Sequence, residues 1–230
     1  GPVPLIKTYT VDTKTSYPLV RDFTSRELEI NNLAEMEYAI RFAAGKGQCL
    51  LKGNLDRPII QESRAGHTDA HTMTQWLCLD IDGITSVSTI DGFLAKLGIL
   101  DTSYILQWSS SYGVNGNYEM RCHLFFWLTK PAPPAILKEW LKFCNLEYFE
   151  EDLTLAKSKV ALKWGLDIST CQNDKLLYIA PPDCDPPEIN TFTGDRVELQ
   201  VRSNERLDLT GTLQSMDSAI IRDREIKIIN

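Results

Sequence analysis

The chain has little of what usually decides a protein's class at a glance. Its six cysteines, at 49, 78, 122, 144, 171 and 184, include no C-x-x-C pair, and their spacing is too wide for a zinc module. Cys78 and Cys122 fall inside apolar runs, which reads as reduced, buried thiols of a cytoplasmic protein. Of only three histidines, His67 and His71 stand four apart, but Thr, Asp and Ala between them give no firm helix to converge their rings. No apolar run approaches the ~20 residues of a membrane span. No internal repeat, low-complexity tract or secretory signal pattern is present. The leading Gly1-Pro2 reads as a cloning remnant, so the natural N-terminus is expected to lie outside this sequence.

What is present suits one large domain: 230 residues, 43% hydrophobic and 24% charged. The net charge of −7 is opposite to that of a simple nucleic-acid binder. It is also uneven. Residues 61–110 hold six acidic against two basic residues, and 151–200 hold nine against five, whereas 1–60 carry a small positive excess. A cation site, or acidic loops, would concentrate charge in this way.

Asn32 followed by Leu33, Met36, Ile40, Ala43 and Ala44 predicts a capped amphipathic helix that Gly45 and Gly47 stop. A short strand at 49–53 and a polar loop through His71 follow. After the strand WLCLDID (76–82), Thr89 caps a second helix with Ile90, Phe93, Leu94 and Leu97 on one face and Gly98 behind it. SYILQWSSS (103–111) and MRCHLFFWL (120–128), joined through Asn115-Gly116, predict a long-looped antiparallel hairpin. Helical periodicity resumes from Ile136 to Cys144 and runs on less regularly to Trp164. LLYIAPP (176–182), VELQVR and the terminal EIKIIN are strand-like. Interleaved strands and helices around a hairpin give an α+β (mixed α/β) class, with an αβ unit at 30–75, a motif-bearing core at 76–182 and C-terminal strands at 183–230.

WLCLDIDG is the stretch least like ordinary structure, because Asp80 and Asp82 sit in a run otherwise fit for a buried strand. Aspartate is a poor strand former and costly to bury unpaired. Alternation places Cys78, Asp80 and Asp82 on one face and Leu77, Leu79 and Ile81 on the other. The two carboxylate positions are ~6.6 Å apart, close enough to hold one hard cation or bridge two ions ~3.5–4 Å apart. A strand end whose aspartates reach solvent or cap a turn at Gly83 is the plainer alternative, and the apolar flanks weigh against it. On the hairpin's second strand Arg121, His123, Phe125 and Trp127 share a face. His123 fits a core histidine as well as a functional one, while Arg121 beside it suits an anion. Asp167 precedes a polar loop, with Lys175 at the next strand. Three carboxylates, a histidine and basic residues together are what phosphoryl-transfer chemistry needs.

The order of LDID, RCHLFFWL and GLDISTCQNDKLLYIAPP resembles the three motifs of the archaeo-eukaryotic primase superfamily. LKG near 52 and SRAG near 64 resemble the primase–polymerase domains of phages and mobile elements. The likeness is densest over 76–182 and implies a catalytic core built on a sheet like that of an RNA-recognition motif, preceded by an αβ unit. It implies that Asp80, Asp82 and Asp167 bind two divalent ions, Mg²⁺ or Mn²⁺, and that His123 contacts an incoming NTP or dNTP. Lys52, Arg64 and Lys175 would join His123. Arg121 stands where the second motif usually has serine, and Ser111 or its neighbours on the paired strand would compensate. The implied partners are a single-stranded DNA template and a helicase, fused or separate, in the cytoplasm of a bacterial host.

Two other readings compete. LCLDIDG also resembles the first motif of haloacid-dehalogenase-type phosphatases, with Asp80 as nucleophile and Asp82 as general acid/base. That reading leaves RCHLFFWL without a role. A non-catalytic replication module would bind single strands through Trp108, Phe125 and Trp127, for which core packing is the simpler account.

Overall fold

The strand-forming runs assemble around a single long strand. The computed structural model describes residues 3–230, so the expected cloning remnant Gly1-Pro2 lies outside the described residues. Seven strands frame the site: β1 (Cys49–Leu51), β2 (Thr74–Ile81), β3 (Tyr104–Trp108), β4 (Cys122–Ala132), β5 (Leu176–Tyr178), β6 (Val197–Gln200) and β7 (Arg206–Leu207). The helices are α1 (Leu33–Gly45), α2 (Ile90–Leu97), α3 (Pro134–Tyr148), α4 (Thr210–Ser215) and α5 (Ser218–Ile229). The mixture of helices with mainly antiparallel strands is the α+β class expected from the sequence.

β4 is central. β2 lies antiparallel along one edge of it, from Thr74 opposite Ala132 to Ile81 opposite Cys122. β3 lies antiparallel along the other edge, which makes the β3–β4 hairpin, and β6 adds antiparallel outside β3. β7 runs parallel to Trp127 and Leu128, beyond the reach of β3. β1 and β5 form a separate antiparallel pair. A third small sheet joins Thr8–Tyr9 to Lys14–Thr15 and to Asp183–Cys184.

Alternation gives the main sheet two buried faces. Leu77, Leu79, Ile81, Leu124 and Phe126 pack with Phe93 and Leu94 of α2 and Leu137, Trp140 and Leu141 of α3. Cys78, Ile105, Phe125 and Trp127 pack with Leu33, Met36 and Ile40 of α1. Each fully buried Leu, Ile or Phe contributes about 1.5–3 kcal/mol. A one-residue slip of β2 would forfeit several of these terms and bury both aspartates against α2 and α3, so the register is firmly specified.

The helix starts follow the predicted caps. Asn32 Oδ1 accepts the Glu35 N–H at 2.8 Å, and Glu35 Oε2 accepts the Asn31 N–H at 2.7 Å. Thr89 Oγ1 accepts the Gly92 N–H at 3.0 Å, and Gly98 ends α2 at φ 72°, a conformation in which a Cβ would be strained. Two expectations fail. The helical stretch to Trp164 ends at Tyr148, because Asp152 is drawn onto the turn after β2. Its Oδ1 accepts the Thr85 N–H at 2.8 Å and the Ser86 N–H at 3.2 Å, and its carboxylate also takes both hydroxyls. The terminal EIKIIN is helical, not a strand. Asp217 caps α5 by accepting the Ala219 N–H at 2.9 Å, Ile221 is buried, and Lys142 on α3 pairs with Glu225 at 3.0 Å.

One buried amide fixes the segment leading to Asp167. Asn145 of α3 is wholly buried, and its Nδ2 donates to the Leu166 carbonyl at 3.0 Å while its Oδ1 accepts the Leu166 N–H at 3.0 Å. Leu166 in turn bridges Ile81 on the outer edge of β2. Asn145 therefore acts as a short piece of strand.

Lys52 is the converse case, a buried cation that no carboxylate meets among the described residues. It is 2% exposed, its Nζ meets the Thr74 hydroxyl, and the ammonium lies 4.7 Å from the Trp76 ring centroid. Burial pushes its pKa down to about 8.

Asn145→Ala leaves the Leu166 N–H and carbonyl buried and unpaired at about 1–3 kcal/mol each, so urea denaturation is expected to show a loss of about 2–6 kcal/mol. A loss below about 1 kcal/mol would show that the clamp does not hold the segment. For Lys52, the unfolded chain binds the extra proton between pH 8 and 10.5, so stability rises with pH across that window and is lowest below it. The total is roughly 3 kcal/mol. Lys52→Met is expected to be more stable than wild type at pH 7 and to lack the alkaline rise, and equal slopes in both proteins would refute the burial account.

Candidate active site

The α1 face of the sheet is apolar as far as Cys78 and Phe125 and turns polar one residue pair later. Asp80 of β2 stands directly opposite His123 of β4, and His123 directly opposite Gln107 of β3. On the outer edge of β2 the Asp167 N–H donates to the Asp80 carbonyl at 3.3 Å, and the Asp82 N–H to the Gly165 carbonyl at 3.4 Å. Strand pairing alone thus sets Asp167, Asp80, His123 and Gln107 in one row across the sheet. Residues opposed in antiparallel strands share a face.

The row is held by directional bonds. Gln107 is 1% exposed, and its Nε2 donates to the Trp108 carbonyl at 2.6 Å and the Ile179 carbonyl at 3.4 Å. Its Oε1 is therefore the atom that faces His123 Nδ1, at 2.5 Å. An amide oxygen only accepts, so Nδ1 carries a proton and donates. His123 Nε2 then points at Asp80 Oδ2, 3.7 Å away, too far for a direct hydrogen bond but near enough for charge pairing. Burial raises the Asp80 carboxyl, but the charge of His123 and then of Lys175 outweighs it, and the net pKa falls below the ordinary 3.8. Asp80 is ionised at neutral pH.

Asp167 divides its oxygens. Oδ1 accepts the Ser169 N–H at 2.8 Å and the Ser169 hydroxyl at 2.7 Å, capping a 3₁₀ turn at Ile168–Cys171, while Oδ2 faces Lys175 Nζ at 3.7 Å. Asp82, past the end of β2, pairs with Arg121 Nε at 3.3 Å, and the same guanidinium meets Glu119 at 3.1 Å. Gly83 follows at φ 98°, which lets the chain turn away and leaves Asp82 open. The Asp82 side chain is 64% exposed against 26% for Asp80. Each of the three carboxylates thus has a basic neighbour.

Of the residues singled out in the sequence, Asp80, Asp82, Asp167, His123, Arg121 and Lys175 are brought together. Lys52 is not: it lies toward the start of β2, against Trp76. Arg64 donates to the Asp174 carbonyl and lies over the Phe23 ring at 5.7 Å, bracing the loop before Lys175 without touching the carboxylates. Ser111 sits in the turn after β3, where its carbonyl accepts the Val114 N–H at 3.2 Å. Its neighbour Ser110 is the buried one, with its hydroxyl 3.2 Å from that of Tyr9. His67 pairs with Asp56 at 2.9 Å, away from His71. Phe125 and Trp127, two of the three aromatics of the single-strand platform, are core beneath α1, while the half-buried Trp108 stacks on Tyr112 at 3.8 Å.

Sequence reading missed three residues. Gln107 was visible as the lone amide in an apolar strand. Lys7 and Tyr17 had no local signal, because a distant strand pairing brings them here. Tyr17 stacks on Tyr178 at 4.1 Å, and burial, with Asp80 among the nearby charges, raises its hydroxyl pKa.

Among the described residues no three His, Cys, Asp or Glu side chains already converge as a ready metal cage. The chemistry of the donors nevertheless fits a hard divalent ion: both Asp80 oxygens, Asp167 Oδ2 and the open Asp82 are carboxylate oxygens on one face. No protein-family model, curated protein or solved structure matches the chain.

Proposed function

We propose that this chain is a nucleotidyltransferase that extends a nucleic-acid strand on a single-stranded DNA template, with a core of the archaeo-eukaryotic primase kind. The observation that carries the proposal is the row Asp167, Asp80, His123, anchored by Gln107. Its order along the chain is that of the three motifs, and the three come from separate segments: β2, β4 and the turn that follows Leu166. Asp80, Asp82 and Asp167 would hold Mg²⁺ or Mn²⁺, and ions bound there would neutralise phosphate oxygens and activate the attacking hydroxyl. As an imidazolium, protonated at both nitrogens, His123 would donate from Nε2 to the triphosphate while Gln107 holds Nδ1 and the turn of the ring. Lys175 and Arg121, now on Asp167 and Asp82, would balance the phosphate charge. A template strand, an NTP or dNTP and a helicase are the partners this reading calls for, in a bacterial cytoplasm. With a net charge of −7, template affinity would rest on a local basic surface and fall steeply with salt.

The phosphatase reading needs only Asp80 and Asp82. It gives no work to a histidine held by a buried glutamine whose own amide is anchored twice. Such polar burial is costly unless it is bonded, and here both ends of the Gln107 amide are bonded while His123 Nε2 alone is left for a ligand.

The decisive assay combines single-stranded DNA, Mg²⁺ or Mn²⁺ and labelled nucleotides. Wild type is expected to extend primers or make them, and Asp80→Asn to be inactive while folded. A charge-assisted contact is worth about 1.5–3 kcal/mol, so His123→Ala is expected to weaken nucleotide use about ten- to a hundredfold. Full activity per folded His123→Ala molecule would remove the assignment. Release of phosphate from simple monoesters that vanishes only with Asp80 would transfer the site to the phosphatase reading.

A further inference from the structure

We propose that Lys7, Lys14 and Arg121 form a phosphate-binding seat at the Asp82 end of the site, with Lys7 at its centre. The segment bearing Lys7 is fastened over the sheet from several sides. Thr8–Tyr9 pairs in parallel with Asp183–Cys184 and antiparallel with Lys14–Thr15. The Lys7 carbonyl accepts the Asp183 N–H at 2.9 Å, and the Tyr9 hydroxyl meets Ser110 just past the end of β3. The ammonium itself is placed by an aromatic stack: Lys7 Nζ lies 4.9 Å from the centroid of Tyr17, whose other partner is Tyr178 at 4.1 Å.

So placed, Lys7 has too little negative charge around it. Among the described residues neither Lys7 nor Lys14 forms an ion pair within 4.0 Å. Asp82 and Glu119 are both engaged by Arg121, at 3.3 and 3.1 Å. Burial, then Lys14, then Arg121 hold the Lys7 pKa below its ordinary value, and Asp82 opposes them only in part. Two further cations, Lys14 and Arg121, act on Lys7 against one carboxylate, Asp82, in a chain that is acidic overall. A half-buried ammonium with like charges beside it is destabilised in the free protein and gains most from a multiply charged anion with several acceptor oxygens. A phosphate group has that charge and that shape. The chemistry is common to a nucleotide's polyphosphate and to a strand's backbone, and only this choice of source rests on the nucleotidyltransferase reading.

The test is calorimetric titration of inorganic tripolyphosphate, and separately of a single-stranded oligonucleotide without terminal phosphates, into wild type, Lys7→Gln and Lys7→Ala. Lys7→Gln retains much of the apolar stem against Tyr17, and both variants are expected to melt at or above the wild-type temperature because repulsion is relieved. Lys7→Gln is expected to weaken binding of one probe about tenfold or more. A fall for tripolyphosphate assigns the seat to the nucleotide, and a fall for the oligonucleotide assigns it to the strand. Wild-type protein that binds neither probe, or folded Lys7→Gln protein that binds both as wild type does, overturns the proposal. The polymerisation assay separates the two readings. Lys7-dependent binding without nucleotide incorporation leaves the seat standing and removes the nucleotidyltransferase, while incorporation with an indifferent Lys7 does the reverse.

Discussion

The antiparallel register between β2 and β4 is the constraint on which the rest depends. It sets Leu79 opposite Leu124 on the face of α2 and α3, and by the same step Asp80 opposite His123 on the other face. The position of the histidine beside the aspartate is therefore decided by hydrophobic burial several residues away, not by the weak attraction between the two. At 3.7 Å and with part of the site open to water, that attraction is worth far less than the leucines and phenylalanines that would be lost in a slipped pairing. Once the register is set, β3 adds Gln107 to the row and the Leu166 segment adds Asp167, each through ordinary strand pairing.

Electrostatics explain how so many carboxylates are tolerated. Aspartates two apart on one strand face would repel, and Asp167 on the neighbouring edge would add to the repulsion. Each has instead a basic neighbour from a different part of the chain: His123 for Asp80, Arg121 for Asp82, Lys175 for Asp167. The pairs are long, 3.3 to 3.7 Å, and none has the fork geometry of a structural arginine–carboxylate bridge such as Arg57 with Glu62, whose two bonds are 2.7 and 2.8 Å. Long contacts neutralise charge without tying up donors and acceptors, which leaves both signs available to a ligand that carries both.

Local chemistry was legible in the sequence and distant chemistry was not. Asn32 and Thr89 cap their helices as read, because a cap is a contact across three residues. The alternation in WLCLDID and MRCHLFFWL gave the correct faces, and with them the shared face of Asp80 and His123. EIKIIN misled because its alternation is as compatible with a strand as with a helix lying on α3, and the deciding residues, Asp217 and Ile221, lie before it. Lys52 and Lys175 look alike as basic residues beside short strands. Their strands pair with each other and the Lys52 N–H donates to the Lys175 carbonyl at 3.0 Å, yet one side chain reaches Thr74 and Trp76 in the core and the other reaches Asp167. The Lys7 segment depends on Asp183–Cys184, over 170 residues away, and no pattern within either segment announces the pairing.

The polar anchors come from outside the motif-bearing strands, and this separates a site from a chance meeting of charges. Asn145 of α3 closes on Leu166 and so fixes the backbone of Asp167, Ser169 takes up one Asp167 oxygen, and Ile179 and Trp108 carbonyls orient Gln107. A buried amide earns its desolvation cost only when both its ends are bonded, and Asn145 and Gln107 both meet that condition. What these bonds leave unbonded is then informative: His123 Nε2, Asp167 Oδ2, the oxygens of Asp80 and the open carboxylate of Asp82 lie on the same face. The fold satisfies the far side of each group and leaves the near side to a ligand with its own cations and anions. A metal-bound nucleotide, the ligand proposed above, carries charges of both signs.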